Sequence, residues 1–161
     1  MNNLTVCLTI QIKSNIGNIF QFKALTDDSE TAFSMSIANK SIILLVSGNK
    51  IRIQNENLFN SEQSHVCIQY QQSNGQLNMQ LNGVNDLTTN ITLTRDVVNT
   101  SRLSDSKGVM VLGGGGFKGR IEHFFVYSRW LDETELQSVY RTQKLIKDTV
   151  IGWWEFKTST E

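Results

Sequence analysis

The chain has 161 residues, 39% apolar and 19% charged, and its 15 basic residues are balanced by 15 acidic ones. Such a length suits one domain, residues 1–161, with a buried core, and zero net charge gives no argument for nucleic acid or an acidic membrane surface as partner. The longest apolar run, Ile42 to Val46, is too short for a transmembrane segment and reads as a buried strand.

In chain order, Leu4–Lys13 alternates strictly between apolar and polar residues, the period of a strand. Met1 to Leu8 also lacks a basic start and a continuous apolar segment, so no signal peptide is read there. An intracellular or organellar setting is therefore favoured over secretion. Strands follow at Asn18–Leu25, Ala32–Ala38 and Ser41–Ser47, and Gly48-Asn49-Lys50 turns into Ile51–Ile53. His65–Gln71 alternates again. Ser73-Asn74-Gly75 and Asn82-Gly83 are hairpin turns on either side of Gln76–Leu81. Leu87–Thr94 is threonine-rich and suited to a strand.

Val109–Leu112 is an apolar strand broken by Gly113 to Gly116, and Ile121–Tyr127 alternates once more. Asp132 stands three residues before Glu135, a capping box that starts one short helix with Leu131, Leu136, Val139 and Tyr140 on its apolar side. Val150–Phe156 is the last strand. Short strands, close turns and a single helix predict an all-β chain, an antiparallel β-sandwich with one short C-terminal helix.

The two cysteines fall out of phase with the apolar residues of their strands. Val6, Leu8 and Ile10 share one face of the first strand, which leaves Cys7 beside Thr5 and Thr9. Cys67 likewise lies beside His65 and Gln69. If those strands are neighbours, the thiols meet at bridging distance. An oxidising compartment would then give a disulfide, and a reducing one two ordinary thiols.

Several of these segments together resemble the pentraxin and laminin-G-like group of concanavalin A-like jelly rolls. Leu4-Thr5-Val6-Cys7-Leu8 is similar to that group's F-T-V-C-L strand, and His65-Val66-Cys67 to its H-V/I-C strand, whose cysteine pairs with the first. Gly75 with Leu81-Asn82-Gly83 resembles its hairpin. Gly119-Arg120-Ile121 through Leu131, Glu135 and Tyr140 resembles its strand-to-helix segment, and Ile151-Gly152-Trp153 its tryptophan strand. The resemblance implies a jelly roll from which edge strands are missing, because the family's first and last strands have no counterpart here. It also implies a place to look for calcium. Asp27, Asp28 and Glu30 stand in the early loop where half of the family's site would be, while Gly113 to Lys118, in place of the second loop, holds no carboxylate. The expectation is no cofactor, with those three acids as half a metal site and a solvated turn as their plainer reading.

Catalytic signals are lacking. No strand shows the paired carboxylates of a glycosidase, no serine lies in a nucleophile elbow, and the four glycines lack the ending of a phosphate loop. Glu122 and Glu155 are lone acids on strands and read as edge or surface residues, while His65 and His123 are isolated and read as structural. Trp130 and Trp154 are candidates for stacking on a ligand, since Trp153 and Trp154 must point to opposite sides of a strand. Asn3, Asn39, Asn90 and Asn99 begin N-x-[ST] sequons, which matter only in a secretory setting. The sequence thus predicts no enzyme. It predicts a jelly-roll subunit that docks into a larger protein assembly through sheet edges and exposed aromatics. The alternative is a carbohydrate-binding module of a secreted or surface protein.

Overall fold

The computed structural model describes residues 3–24, 31–46, 49–60, 62–71, 73–90, 108–147 and 150–154. Eleven strands and two helices lie among them. They are β1 (Asn3–Ile12), β2 (Ile16–Ala24), β3 (Thr31–Ala38), β4 (Ser41–Val46), β5 (Asn49–Ile53), α1 (Asn57–Asn60), β6 (Ser64–Gln71), β7 (Gln76–Leu81), β8 (Val84–Asn90), β9 (Gly108–Leu112), β10 (Gly119–Tyr127), α2 (Glu133–Thr142) and β11 (Val150–Trp154). One sheet has the order β11-β10-β1-β6-β7-β8, the other β5-β4-β3-β2-β9. The fold is all-β, of the antiparallel β-sandwich class.

Two compact units are distinguishable, residues 1–10, 63–91 and 120–161 in the first, and residues 11–62 and 92–119 in the second. In the second unit, register places the apolar residues opposite one another. Phe33 faces Val46, Met35 faces Leu44 and Ile37 faces Ile42 across β3 and β4. All six are buried, and directly opposed apolar pairs are what stabilise a sheet face. Phe20 and Phe33 add a tilted ring contact at 5.4 Å. Gly113 to Gly116, after β9, all have positive φ, from 59° to 114°. Such a run suits only glycine. Asn18 N donates to Gly114 O at 2.9 Å, which fastens the loop to β2.

In the first unit, Val6 faces Ile68 and Leu8 faces Val66 across β1 and β6, while Ile68 faces Met79 and Val66 faces Leu81 across β6 and β7. These make one buried face of the six-stranded sheet. The other face is buried too, which the apolar–polar alternation did not indicate. Cys7, Thr5, Thr9, His65, Cys67 and Gln69 are each at most 5% exposed. The cover is α2 with its flanks. Leu131, Leu136 and Val139 close over Cys7, Cys67, Phe125 and Tyr127, with Leu145 and Ile146 packed alongside. The cysteines therefore lie in a second, smaller core rather than on a polar surface. In this core Cys7 and Cys67 face each other in register, with their Cα atoms 4.1 Å apart, and form a disulfide.

Three further expectations change. Asn49 and Lys50 belong to β5 rather than to a turn, and α1 was not foreseen. Leu58 explains that helix, since it is the one buried residue of the segment. On β10, Phe124 and Phe125 are buried side by side. His123 just before them takes a positive φ of 51°, rare for a residue with a side chain, and strict alternation is lost there.

Candidate functional site

The most distinctive arrangement in the first unit lies where the end of α2 meets β1, β6 and the β7–β8 turn. The helix is set by its start. Asp132 caps it by accepting from Glu135 N at 2.8 Å, and the Glu135 carboxylate accepts from Asp132 N at 2.8 Å. Arg129 grips the same carboxylate at 2.7 Å through Nη1 and holds it below the usual carboxylate range. The body of the helix is then tied to the sheet by uncharged amides. Gln137 Nε2 donates to Gly83 O at 2.6 Å, and Gln69 Nε2 donates to Leu131 O at 2.8 Å.

The helix ends at Gln143, which adopts the left-handed conformation at φ 54° and sends its N–H back to Val139 O. Its side chain is fixed at both ends. Thr9 Oγ1 donates to Gln143 Oε1 at 2.6 Å, and Gln143 Nε2 donates to Tyr140 O at 2.9 Å. Across from it, Asn82 and Gly83 form the hairpin turn with φ of 50° and 78°, the signs of a type I′ turn. Asn82 pins this turn to β6, because its N donates to His65 O at 2.8 Å and its Oδ1 accepts from His65 N at 2.8 Å. Gly83 leaves room for the Tyr140 ring, since a Cβ there would fall 2.7 Å from Tyr140 Cδ1. Tyr140 in turn lies 5.5 Å, centroid to centroid, from the His65 ring.

These elements border an open cleft of about 280 Å³ lined by Thr9, Gln63, Ser64, His65, Asn82, Tyr140 and Gln143. Thr9, Ser64 and His65 are buried at its floor, while Gln63 is exposed at its rim. Gln63 Nε2 is held at 2.9 Å by Glu122, itself paired with Arg120 at 3.4 Å. His65 makes two backbone hydrogen bonds with Asn82 and the tilted ring contact with Tyr140. Burial, and then the nearby His123, lower its pKa to about 4. The ring is therefore neutral at pH 7, and no ionised side chain lines the cleft.

Cys7, His65 and Cys67 bring their potential ligand atoms within 4.8 Å of one another. Both sulfurs are engaged in the disulfide, so the trio offers a metal only the imidazole.

Asp27, Asp28 and Glu30, the half site for a metal, lie outside the described residues, as does Glu155. Trp130 is half-buried and does not line the cleft. Trp154 is opposite Phe124 in β11, and its side chain lies outside the described residues. His123 stands apart from the cleft lining, with a buried Nδ1 that has no partner. The sequence marked His65, Asn82 and Tyr140 separately but gave no reason to join them. The nearest signal was a histidine and a cysteine on one polar strand face, followed by an Asn-Gly turn.

No family model matches the chain, and no curated protein matches it. Solved structures do. The binding domain of botulinum neurotoxin DC, in complex with rat synaptotagmin II, is similar at a TM-score of 0.62 and 12% identity, over 89% of this chain and 36% of that one. A structure of botulinum neurotoxin type C, whose cell entry depends on two ganglioside molecules, gives 0.64 and 10%, over 89% and 36%. The full extracellular region of zebrafish Gpr126/Adgrg6 gives 0.61 and 13%, over 86% and 19%. The chain thus spans well under half of each. At such identities the likeness establishes the fold.

Proposed function

We propose that this chain is a non-catalytic binding module that docks onto other proteins, as a subunit of a larger assembly, through the edges of its sheets. One observation carries this reading. The exposed large hydrophobic residues among those described are Val84 at 68%, Ile16 at 57% and Val111 at 38%. Val84 opens β8 and Val111 lies on β9, each the last strand of its sheet among the described residues, and Ile16 opens β2, the partner of β9. An apolar side chain on a terminal strand suits pairing with another chain. The structural neighbour that is a binding domain, in complex with synaptotagmin II, supports binding over catalysis. Gentle extraction and size fractionation of the endogenous protein, with mass spectrometry of the peak, tests the reading. Co-migration with a fixed set of proteins, lost in the Val84→Glu, Val111→Glu variant, is the expected result. Migration of the unaltered protein as a free monomer overturns it.

A second reading, recognition of glycan, is favoured by the uncharged, amide-rich lining of the cleft and by the gangliosides named for one neighbour.

A further inference from the structure

We propose that the cleft between the end of α2 and the β7–β8 turn is a binding site for one neutral sugar ring, such as the terminal hexose of a glycan. The inference rests on the glycan reading and gives it a site and a ligand class.

The lining selects by charge first. An anionic or cationic ligand entering a partly buried cleft needs an opposite charge to offset its lost hydration. Gln63, Asn82, Gln143, Thr9, His65 and Tyr140 provide none, given a neutral imidazole. Donor and acceptor balance selects next. A sugar hydroxyl both donates and accepts, and a carboxamide does the same. Three carboxamides line the cleft, together with the Thr9 hydroxyl and the His65 imidazole. The imidazole stands beside them at the wall of the cleft, where either ring nitrogen can meet a hydroxyl as donor or acceptor. The half-buried Tyr140 ring, packed against Gly83 and His65, borders the cleft beside these polar groups.

Size selects last. At about 280 Å³ the cleft is at the small end of ligand sites, which start near roughly 300 Å³. One sugar ring is a ligand of that size. The site is also preformed, since Gln143 is fixed by Thr9 and by the Tyr140 carbonyl, and Asn82 by His65. Little ordering is left to oppose binding.

The experiment is a titration of the whole, ¹⁵N-labelled chain with methyl glycosides of glucose, galactose, mannose and N-acetylglucosamine, with EDTA present. It is paired with an array carrying neutral and sialylated glycans. Tyr140→Leu and the exposed Gln63→Ala are compared with the unaltered chain, and circular dichroism checks that each folds. Shifts centred on His65, Asn82 and Gln143 for at least one neutral glycoside are expected. Affinity should fall about tenfold in Tyr140→Leu and several-fold in Gln63→Ala, as expected for loss of a ring contact and of one hydrogen bond. Neutral-sugar binding that survives both substitutions overturns the assignment to this cleft and leaves the glycan reading standing. No binding of any array glycan by the folded chain overturns both. A requirement for a sialylated end overturns the neutral ligand class.

Discussion

His65 shows how position alone changes a side chain's chemistry. Its neighbours on the face are Thr9, Cys67 and Tyr140, none of which supplies a negative charge to hold a proton on the ring. Burial and His123 both disfavour the imidazolium, so the pKa drops from the ordinary 6.5 to about 4. The consequence for stability has a definite sign. The unfolded chain takes up a proton near pH 6.5 and the folded chain only near 4, so the contribution is whole above 6.5 and is lost as pH falls between them. The gap corresponds to about 3 kcal/mol by pH 4. Urea unfolding of the unaltered chain and of His65→Gln at several pH values from 7.5 to 4 isolates it from the carboxylates, which both proteins share. The unaltered chain should lose more stability than the variant in that window, and parallel losses would dismiss the assignment. None of this was legible in the sequence, where His65 stands 17 residues from Asn82 and 75 from Tyr140. A lone strand histidine carries no mark of what the fold will lay against it.

At the scale of the element, period alone located nearly every strand, and the Asp132–Glu135 spacing located α2. What period could not give was the covering of the second sheet face. A strand with one wet face and a strand buried under a helix show the same alternation when the second face is built from Thr, Gln, Cys and His. Here those residues are buried because they find partners. Thr5 Oγ1 donates to Arg129 O at 2.7 Å, and Asn78 Nδ2 donates to Gln69 Oε1 at 3.1 Å. The helix that covers them depends on its cap. Asp132→Ala removes the acceptor for Glu135 N and should lower stability by about 1 kcal/mol. Hydrogen exchange should quicken first at the amides of Glu135 and Leu136. The Arg129–Glu135 pair, about a quarter exposed on each side, adds no more than about 1 kcal/mol. Loss of the cap well above that size, or unchanged exchange in the first turn, would show that tertiary packing and not the cap sets the helix start.

At the scale of the whole molecule, the sheet orders are where the sequence was mute. β1 lies between β10 and β6, and β2 between β3 and β9, so central strands pair with segments far along the chain. Hydrophobic period specifies a face but not a neighbour. The exception is β1 with β6, where two cysteines in the wrong phase hinted at a shared position. Their bond closes a span of 60 residues between adjacent strands. Loop-closure entropy for that span amounts to about 4 kcal/mol of constraint on the unfolded chain. A domain's total stability is of the order of 5–15 kcal/mol, so this one link is a large share of it. The bond also lies beneath α2, in the same small core as Leu131, Leu136 and Val139. Cys7→Ala, Cys67→Ala should therefore unfold at a markedly lower urea concentration than the oxidised chain. Near-ultraviolet circular dichroism should follow the same loss as the far-ultraviolet signal, because the helix and the strands share that core. A change below about 1 kcal/mol would mean that the strand pairing is secured without the bond, by the apolar register of Val6 on Ile68 and Leu8 on Val66.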